Sequence, residues 1–266
     1  IKDLNIFSEY GNSLLSSACY NNMFHIASYL VKKGANVNTK NNKGKTALHR
    51  IFNSNKNNEY KDKIFLLLKD NGVKVNYSDR EGNIPLHYCL ENKEIDLAIQ
   101  LIDMESNLIT KNKDGLYPLH FLTKNITNEK DLILFDKLIS KCKNIDLKIL
   151  DKYNNNLLLY CFGRNNYVLA NHLIKKYKMD INNVSRIKEY IIRYIDNCWI
   201  EIYRLFLEYY PKFIDYTIFE YCKENNREMA FNTFFYFANN CLDQKIKFNG
   251  QDPLNVIDTE IKNLIQ

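Results

Sequence analysis

Three histidines recur at nearly regular intervals, and their chemistry needs an explanation first. His49, His87 and His120 lie 38 and 33 residues apart. Neutral imidazole is a common metal ligand and general base, so a recurring histidine could indicate a metal centre or a catalytic site. Zinc sites usually take their ligands in closely spaced pairs, whereas each of these histidines stands alone in its segment. The spacing therefore indicates one histidine per structural repeat.

Cysteines are the other candidate nucleophiles and metal ligands. No CxxC pair occurs among the seven, which stand at positions 19, 89, 142, 161, 198, 222 and 241. Neither a zinc site nor a dense disulfide framework is expected from such spacing, and reduced thiols predict a cytoplasmic or nuclear protein. The sequence also contains no GxSxG, P-loop, HExxH or GxGxxG motif. We therefore predict no catalytic residue, metal or cofactor.

The bulk composition narrows the class of protein further. Hydrophobic residues make up 45% of the 266 residues, so the chain has enough apolar material for a continuous core. A net charge of +6 is modest for this length and does not predict a nucleic-acid surface. No apolar run reaches the ~18 residues of a membrane span. Because the first residue is Ile rather than Met, we expect a segment of a longer protein.

The elements that position the histidines are marked by glycines, of which the chain has only eight. Gly44, Gly82 and Gly115 open the similar segments GKTALH, GNIPLH and GLYPLH, and Gly11 and Gly250 open weaker copies. Gly34 and Gly72 follow helical runs, where a left-handed residue commonly ends a helix. Seven of the eight glycines thus fit a single repeating pattern.

This pattern resembles the ankyrin repeat, which joins a turn glycine, a T-P-L-H-like helix start, a second helix and a G-A-x-V-N-like end. The G-A-x-V-N-like end of the repeat is clearest at Gly34-Ala-Asn-Val-Asn38. The resemblance implies an all-α solenoid of about seven to eight stacked helix-turn-helix units, with short hairpin loops, as one domain over residues 1–266. It is clear over 8–124, divergent over 125–182, where Asn155 takes the glycine position, and weak over 183–249. A partial repeat is expected over 250–266.

The second helix of each unit carries apolar residues at helical spacing, which predicts a buried face. Repeats of this kind bury such faces only by stacking on their neighbours. The predicted faces are Ile26, Tyr29 and Leu30; Ile64, Leu67 and Leu68; Leu97, Leu101 and Ile102; Phe135, Leu138 and Ile139; Leu169, Leu173 and Ile174; and Ile202, Leu205 and Phe206.

The resemblance also implies roles for particular side chains. The recurring histidine bridges adjacent turns by hydrogen bonds in the family, so His49, His87 and His120 are expected to be structural. Members of the family bind other proteins through the hairpin tips and the concave face of the first helices. Transferred to this sequence, those positions, with Trp199 added as a possible aromatic anchor, predict a partner-binding surface of Tyr10, Tyr20, Asn42, Lys43, Lys45, Arg80, Glu81, Glu91, Lys113, Asp114, Lys124, Tyr153, Arg164 and Trp199.

Two questions stay open at the level of sequence. The aromatic residues between 190 and 237, with Trp199 among them, form either a larger core or a set of exposed anchors for a partner. The leading functional hypothesis is a monomeric, non-enzymatic protein-interaction scaffold, either a host-directed factor of a virus or intracellular microbe or part of a larger regulator. The alternatives are the substrate-targeting arm of a multidomain enzyme and a binder of small molecules or nucleic acid.

Overall fold

The computed structural model describes residues 6–52, 60–142, 145–181, 187–210, 221 and 224–226. Twelve α-helices and no β-strands lie in these ranges, so the described part of the chain has an all-α repeat fold. The chain divides into two compact units, residues 1–157 and 158–266. The expected extent of a single array over 1–266 stays a prediction, and the partial repeat expected over 250–266 lies outside the described residues.

The helices follow one another in pairs, which we call repeats 1 to 6. Repeat 1 contains α1 (Leu14–Tyr20) and α2 (Phe24–Lys32), and repeat 2 contains α3 (Ala47–Phe52) and α4 (Lys61–Asp70). The later pairs are α5 (Pro85–Glu91) and α6 (Ile95–Asp103), α7 (Pro118–Leu122) and α8 (Glu129–Lys141), α9 (Leu157–Gly163) and α10 (Tyr167–Tyr177), and α11 (Ile187–Asp196) and α12 (Ile200–Tyr209).

Local sequence explains where the helices begin. The side chains of Ser13, Asn128 and Asn166 accept a hydrogen bond from the backbone N–H three residues later, which satisfies a free donor at the helix start. Pro85 and Pro118 occupy the first turn of α5 and α7, where the missing N–H costs nothing.

Left-handed residues end several helices, and two of them are the glycines that the pattern predicts there. Gly34 and Gly72 have φ of +88° and +75°, as expected after α2 and α4. The divergent repeat 5 corrects one prediction, since Asn154 rather than Asn155 takes the glycine position, with φ of 61°. Asn155 is instead buried one residue later, and its N–H is bonded to the Asp151 side chain.

Each unit has its own core. In unit 1 the first helices pack in the order α1, α3, α5 and α7, and second helices pack against second helices at α2–α4 and α6–α8. The leucine before each recurring histidine, at Leu48, Leu86 and Leu119, is buried between them. In unit 2 the core is aromatic, and the rings of Phe162 and Phe206 lie 4.7 Å apart between their centroids.

The predicted buried face holds for five of the six second helices and fails in repeat 1. Ile64 in α4 and Leu97 in α6 are 0% and 4% exposed, whereas Ile26 at the same position of α2 is 50% exposed. Tyr29, one turn further along α2, is also exposed, and only Leu30 of the predicted set is buried there. A stripe of apolar residues thus marks the face of a helix but does not tell whether a neighbour covers it.

Candidate protein-binding surface

The hairpins before α3, α5, α7 and α9 are built on one recurring side chain that the glycine pattern does not include. Asn41 Oδ1 accepts from the N–H groups of Lys43 and Lys45 at 2.9 and 2.8 Å. The same pair of bonds is made by the residue three positions before each turn glycine or its equivalent: Asp79, Asn112 and Asp151. These side chains fix the hairpin from within, because Asn and Asp readily bond to backbone two residues on.

Successive hairpins in unit 1 are joined by backbone hydrogen bonds into a ladder. Asn42 N–H donates to Tyr10 O at 3.0 Å, Arg80 N–H to Lys43 O at 2.8 Å, and Lys113 N–H to Glu81 O at 2.9 Å. The turn glycines permit this approach, since a Cβ on Gly115 would lie only 2.6 Å from the backbone nitrogen of Lys152. The hairpin tips therefore form one ordered row.

The recurring histidines His49 and His87 connect the first helices to the hairpins by hydrogen bonds. Nδ1 of His49 accepts from the Thr46 N–H at 3.1 Å, so the proton is on Nε2, which donates to Asn83 O of the next hairpin at 3.1 Å. His87 repeats the arrangement, with Nε2 3.2 Å from Leu116 O. Burial lowers the pKa of His49 to about 4 and also lowers that of His87, which keeps both rings neutral. The structural role expected for His49 and His87 agrees with this geometry.

Eight of the predicted partner-binding residues lie on the hairpins of unit 1, and we call them the tip row. Their backbones belong to the ladder or its turns, while their side chains point away from the core and are exposed. Tyr10 and Tyr153 stand at the two ends of the row and are 69% and 55% exposed. The tip row comprises Tyr10, Asn42, Lys43, Arg80, Glu81, Lys113, Asp114 and Tyr153.

Four further predicted residues lie on or beside the first helices, and two of them, Tyr20 and Lys45, pair with side chains that sequence reasoning missed. The guanidinium carbon of Arg50 lies 4.0 Å from the centroid of the Tyr20 ring. Lys45 Nζ lies 4.2 Å from the Tyr88 ring centroid, and burial lowers the pKa of this half-buried lysine. We call this set the first-helix row: Tyr20, Lys45, Arg50, Tyr88, Glu91 and Lys124.

The remaining contacts of the first-helix row hold its charged groups in place. The Tyr88 hydroxyl donates to Asp79 Oδ2 at 2.6 Å, which ties the row to the hairpin of repeat 3. Lys124 Nζ lies 3.1 Å from Glu91 Oε1, joining repeats 3 and 4. Arg50 and Tyr88 both directly follow a recurring histidine, so their common position was a signal available in the sequence.

The two predicted residues of unit 2 are less exposed than the tip row. Trp199 is half-buried at the start of α12, with its ring stacked 5.9 Å from Tyr194 and Arg193 over it at 5.7 Å. Arg164 is half-buried beside the Tyr160 ring. The described aromatic residues Tyr194, Tyr203 and Phe206 are fully buried, so this part of the aromatic cluster is core. The cluster's residues in 211–220 and 227–237 lie outside the described ranges.

No group of three or more His, Cys, Asp or Glu residues in the described ranges could hold a metal ion. No helix in the same ranges is long and apolar enough to cross a membrane. Cys19, Cys89, Cys142 and Cys161 are free and buried, and burial raises their thiol pKa values, for example to about 12 at Cys19 and about 11 at Cys142. Raised values make these thiols poor nucleophiles.

Comparison with known proteins finds similarity to ankyrin repeats. A family model for ankyrin repeats in three copies matches residues 15–112. A fowlpox virus protein named as an ankyrin repeat protein is 29% identical over 193 residues, covering 59% of this chain and 44% of its own. A mimivirus protein of the same description is 28% identical over 205 residues, covering 68% and 26%. Vaccinia virus ankyrin repeat protein B19 is 25% identical over 189 residues, covering 67% and 32%.

The chain thus spans roughly a quarter to just under half of the length of these relatives. The matched residues 15–112 begin within α1 and end in the hairpin of repeat 4, so they contain the bond from Arg80 N–H to Lys43 O in the ladder and both bridging histidines. Residues 15–112 of this chain therefore carry ankyrin repeats.

Proposed function

We propose that the chain is a non-enzymatic scaffold that binds a partner protein through the tip row and the adjoining first-helix row of unit 1. Ankyrin repeats generally mediate protein–protein interaction, which is the coarse function that the family supplies. The observation that carries the finer proposal is the hairpin ladder. It joins the hairpins of repeats 1 to 4 to one another by backbone hydrogen bonds while leaving the tip side chains exposed.

A rigid row of this kind lowers the entropic cost of binding, because the tip backbones are already ordered before a partner arrives. Tyr10 and Tyr153 offer large apolar contact areas at the ends of the row, and Arg80 offers a planar cation near its middle. Tyrosine and arginine are the residue types that most often dominate binding energy at interfaces. The partner surface that fits best is therefore acidic at its centre and apolar at its margins.

The first-helix row adds a half-buried positive charge to this surface. Lys45 is stacked on Tyr88 and partly desolvated, so a partner carboxylate placed over it would meet a poorly hydrated ammonium group. Glu91 and Lys124 pair with each other and so supply hydrogen-bonding groups with little net charge. This arrangement favours a specific polar contact beside the apolar anchors.

The organisms of the similar proteins support a proposal about where this protein acts. The proteins named above come from fowlpox virus, mimivirus and vaccinia virus, and another comes from the intracellular bacterium Rickettsia bellii. We infer a factor directed at host proteins, monomeric by itself, that acts in the cytoplasm or nucleus without nucleic acid as a partner. The alternative is the substrate-targeting arm of a multidomain enzyme, which is favoured by one observation: the relatives extend well beyond the matched region.

Charge reversal tests the surface directly. Affinity capture followed by mass spectrometry identifies the partner, and the triple variant Lys43→Glu, Arg80→Glu and Lys113→Glu should then weaken its binding by at least about tenfold. The matched control is Lys32→Glu, Lys69→Glu and Lys74→Glu, which changes the charge equally at three exposed lysines outside the tip row. Equal loss in both variants, or undiminished binding by the tip variant, would contradict the proposal.

Photo-crosslinking separates the scaffold from the alternative. A benzoylphenylalanine in place of Tyr10 or Tyr153 should form adducts with the partner, whereas the same group at Ile133, exposed on α8, should not. If the natural full-length protein chemically modifies the crosslinked partner, the targeting-arm function replaces the simple scaffold. If crosslinks form only from Ile133, the tip row is not the binding surface.

A further inference from the structure

Among the described residues, most of the exposed large apolar side chains lie in repeat 1 or just before it. Four of them lie on its two helices or at the N-cap of α2, and we call them the end face: Leu14, Met23, Ile26 and Tyr29. Scattered apolar residues are normal on protein surfaces, but a continuous group usually marks a site of contact. The end face therefore needs an explanation that the tip row does not supply.

Two of the end-face positions are buried in the repeats that follow. Leu14 corresponds to Ala47, Pro85 and Pro118, all of which are buried, and Ile26 corresponds to the buried Ile64 and Leu97. Repeats 2 and 3 have a neighbour on both sides, whereas repeat 1 has a described neighbour only on the side of repeat 2. The missing neighbour is therefore the one that would precede repeat 1.

The low number of charged residues in repeat 1 also indicates that a further repeat precedes it. Residues 6–31 contain only one Asp, Glu, Lys or Arg, namely Glu9, while five of the ten residues of α4 are charged. Terminal units of repeat proteins need a polar outer face to stay soluble. Repeat 1 thus has the composition of an internal repeat rather than that of a cap.

The hairpin ladder has an open end at the same place. Asn42, Arg80 and Lys113 each donate their backbone N–H to the preceding hairpin. Glu9 holds this position in the first hairpin, and no described residue accepts its N–H. An additional hairpin in the same register would supply the missing carbonyl.

We propose that the end face seats a further ankyrin-type helix pair, provided by the same polypeptide upstream of repeat 1. The occupant would cover Leu14 and Ile26 as each repeat covers the next, and one carbonyl of its hairpin would accept from Glu9. The relatives named above are at least twice as long as the part of them that this chain matches, so proteins of this kind have room for such a unit. The inference is independent of which partner the tip row binds.

The test compares one variant in two contexts. Ile26→Lys with Tyr29→Lys is made in the 266-residue chain and in the natural protein with its upstream sequence. In the shorter chain both side chains already face water, so Tm should change by less than about 1 °C. In the longer protein Ile26 would be buried, as Ile64 and Leu97 are, and Tm should fall by at least about 4 °C. The control Ile133→Lys, at a residue 68% exposed on α8, should change Tm little in either context.

Three results would overturn the proposal. One is an equal Tm for variant and parent in the longer protein, and another is a natural sequence with no upstream repeat. The third is a concentration-dependent dimer of the 266-residue chain, seen by light scattering, that the end-face variant converts to a monomer. That last outcome would identify a second copy, not an upstream repeat, as the occupant.

Discussion

At the scale of single residues, the bridging histidines join helix and hairpin only while they are neutral. Nδ1 of His49 must be unprotonated to accept from Thr46, and Nε2 must carry the proton that it donates to Asn83 O. A protonated ring would carry a buried charge and a second N–H, at Nδ1, which would face the Thr46 N–H donor. The same side chain that resembles a metal ligand in sequence is thus a structural crosslink.

This requirement predicts that the free energy of unfolding depends on pH. Burial lowers the folded-state pKa of His49 to about 4 from an ordinary 6.5, so the unfolded chain binds the extra proton between those values. The contribution of His49 should be complete above about pH 6.5 and lost as the pH falls towards about 4. Urea titrations across this range should show a clear decrease in stability, with a smaller slope in His49→Gln. An identical slope in the variant would assign the pH dependence to other groups.

Repeat 1 lacks the bridging histidine, and restoring it should stabilise the protein. Ser16 holds that position, is buried, and has no hydrogen-bond partner for its hydroxyl. In Ser16→His the new Nε2 would reach the Lys45 carbonyl, which corresponds to Asn83 O in the next repeat. We expect a gain of about 1 kcal/mol, the usual net value of a buried hydrogen bond. Calorimetry of Ser16→His beside Ser17→His checks this, and a Tm no higher than that of the control would show that the imidazole does not fit.

At the scale of elements, the hairpins depend on glycine for two separable reasons. Gly115 and Gly72 have nearly equal φ values of +77° and +75°, which any other L-residue adopts at a cost. A Cβ at Gly115 would also lie 2.6 Å from the backbone nitrogen of Lys152, whereas a Cβ at Gly72 would meet nothing within 4 Å. The first glycine serves hairpin stacking as well as the turn, and the second serves only the helix end.

Alanine substitution should separate the two effects. Gly72→Ala should lower the free energy of unfolding by about 1 kcal/mol through the left-handed backbone alone. Gly115→Ala should lower it by at least about 2 kcal/mol more, because the clash is with backbone and forces adjacent hairpins apart. Chemical denaturation of both variants is the measurement. Equal losses of unfolding free energy in the two variants would mean that the contact between Gly115 and the Lys152 backbone does not stabilise the protein.

At the scale of the whole molecule, the distribution of charge matters more than its sum. The net charge of +6 is small, but the tip row carries Lys43, Arg80 and Lys113 on the exposed side of the ladder. Asp114 is partly neutralised by Lys152, whose Nζ lies 3.3 Å away. A partner docking along the row would therefore meet a locally positive surface.

Partner binding should consequently weaken with salt. Raising NaCl from about 0.05 to about 0.5 M shortens the screening length to a few ångströms and should lower affinity mainly through the association rate. Surface plasmon resonance with the captured partner measures this directly. The Lys43→Glu, Arg80→Glu and Lys113→Glu variant should lose most of the salt dependence, and a parent affinity that does not change with salt would point to a purely apolar interface.

The sequence predicted the fold class, most element positions and the residues of the tip row, because these follow from local requirements repeated along the chain. It did not predict the pairing of Arg50 with Tyr20 or of Lys45 with Tyr88, since each joins residues 30 or more positions apart. It also assigned the glycine position of repeat 5 to Asn155 instead of Asn154, as either asparagine tolerates positive φ and only the backbone distinguishes them.

The recurring glycines and histidines by themselves determined the helix-turn-helix frame, because a left-handed turn and a buried backbone donor each demand a particular residue type wherever they recur. Tertiary structure alone decided which apolar faces are covered. Ile26 and Ile64 occupy the same place in the pattern, yet one is half exposed and the other buried. The physical reason is that burial depends on a neighbour, and the periodicity of a helix carries no information about whether that neighbour is present.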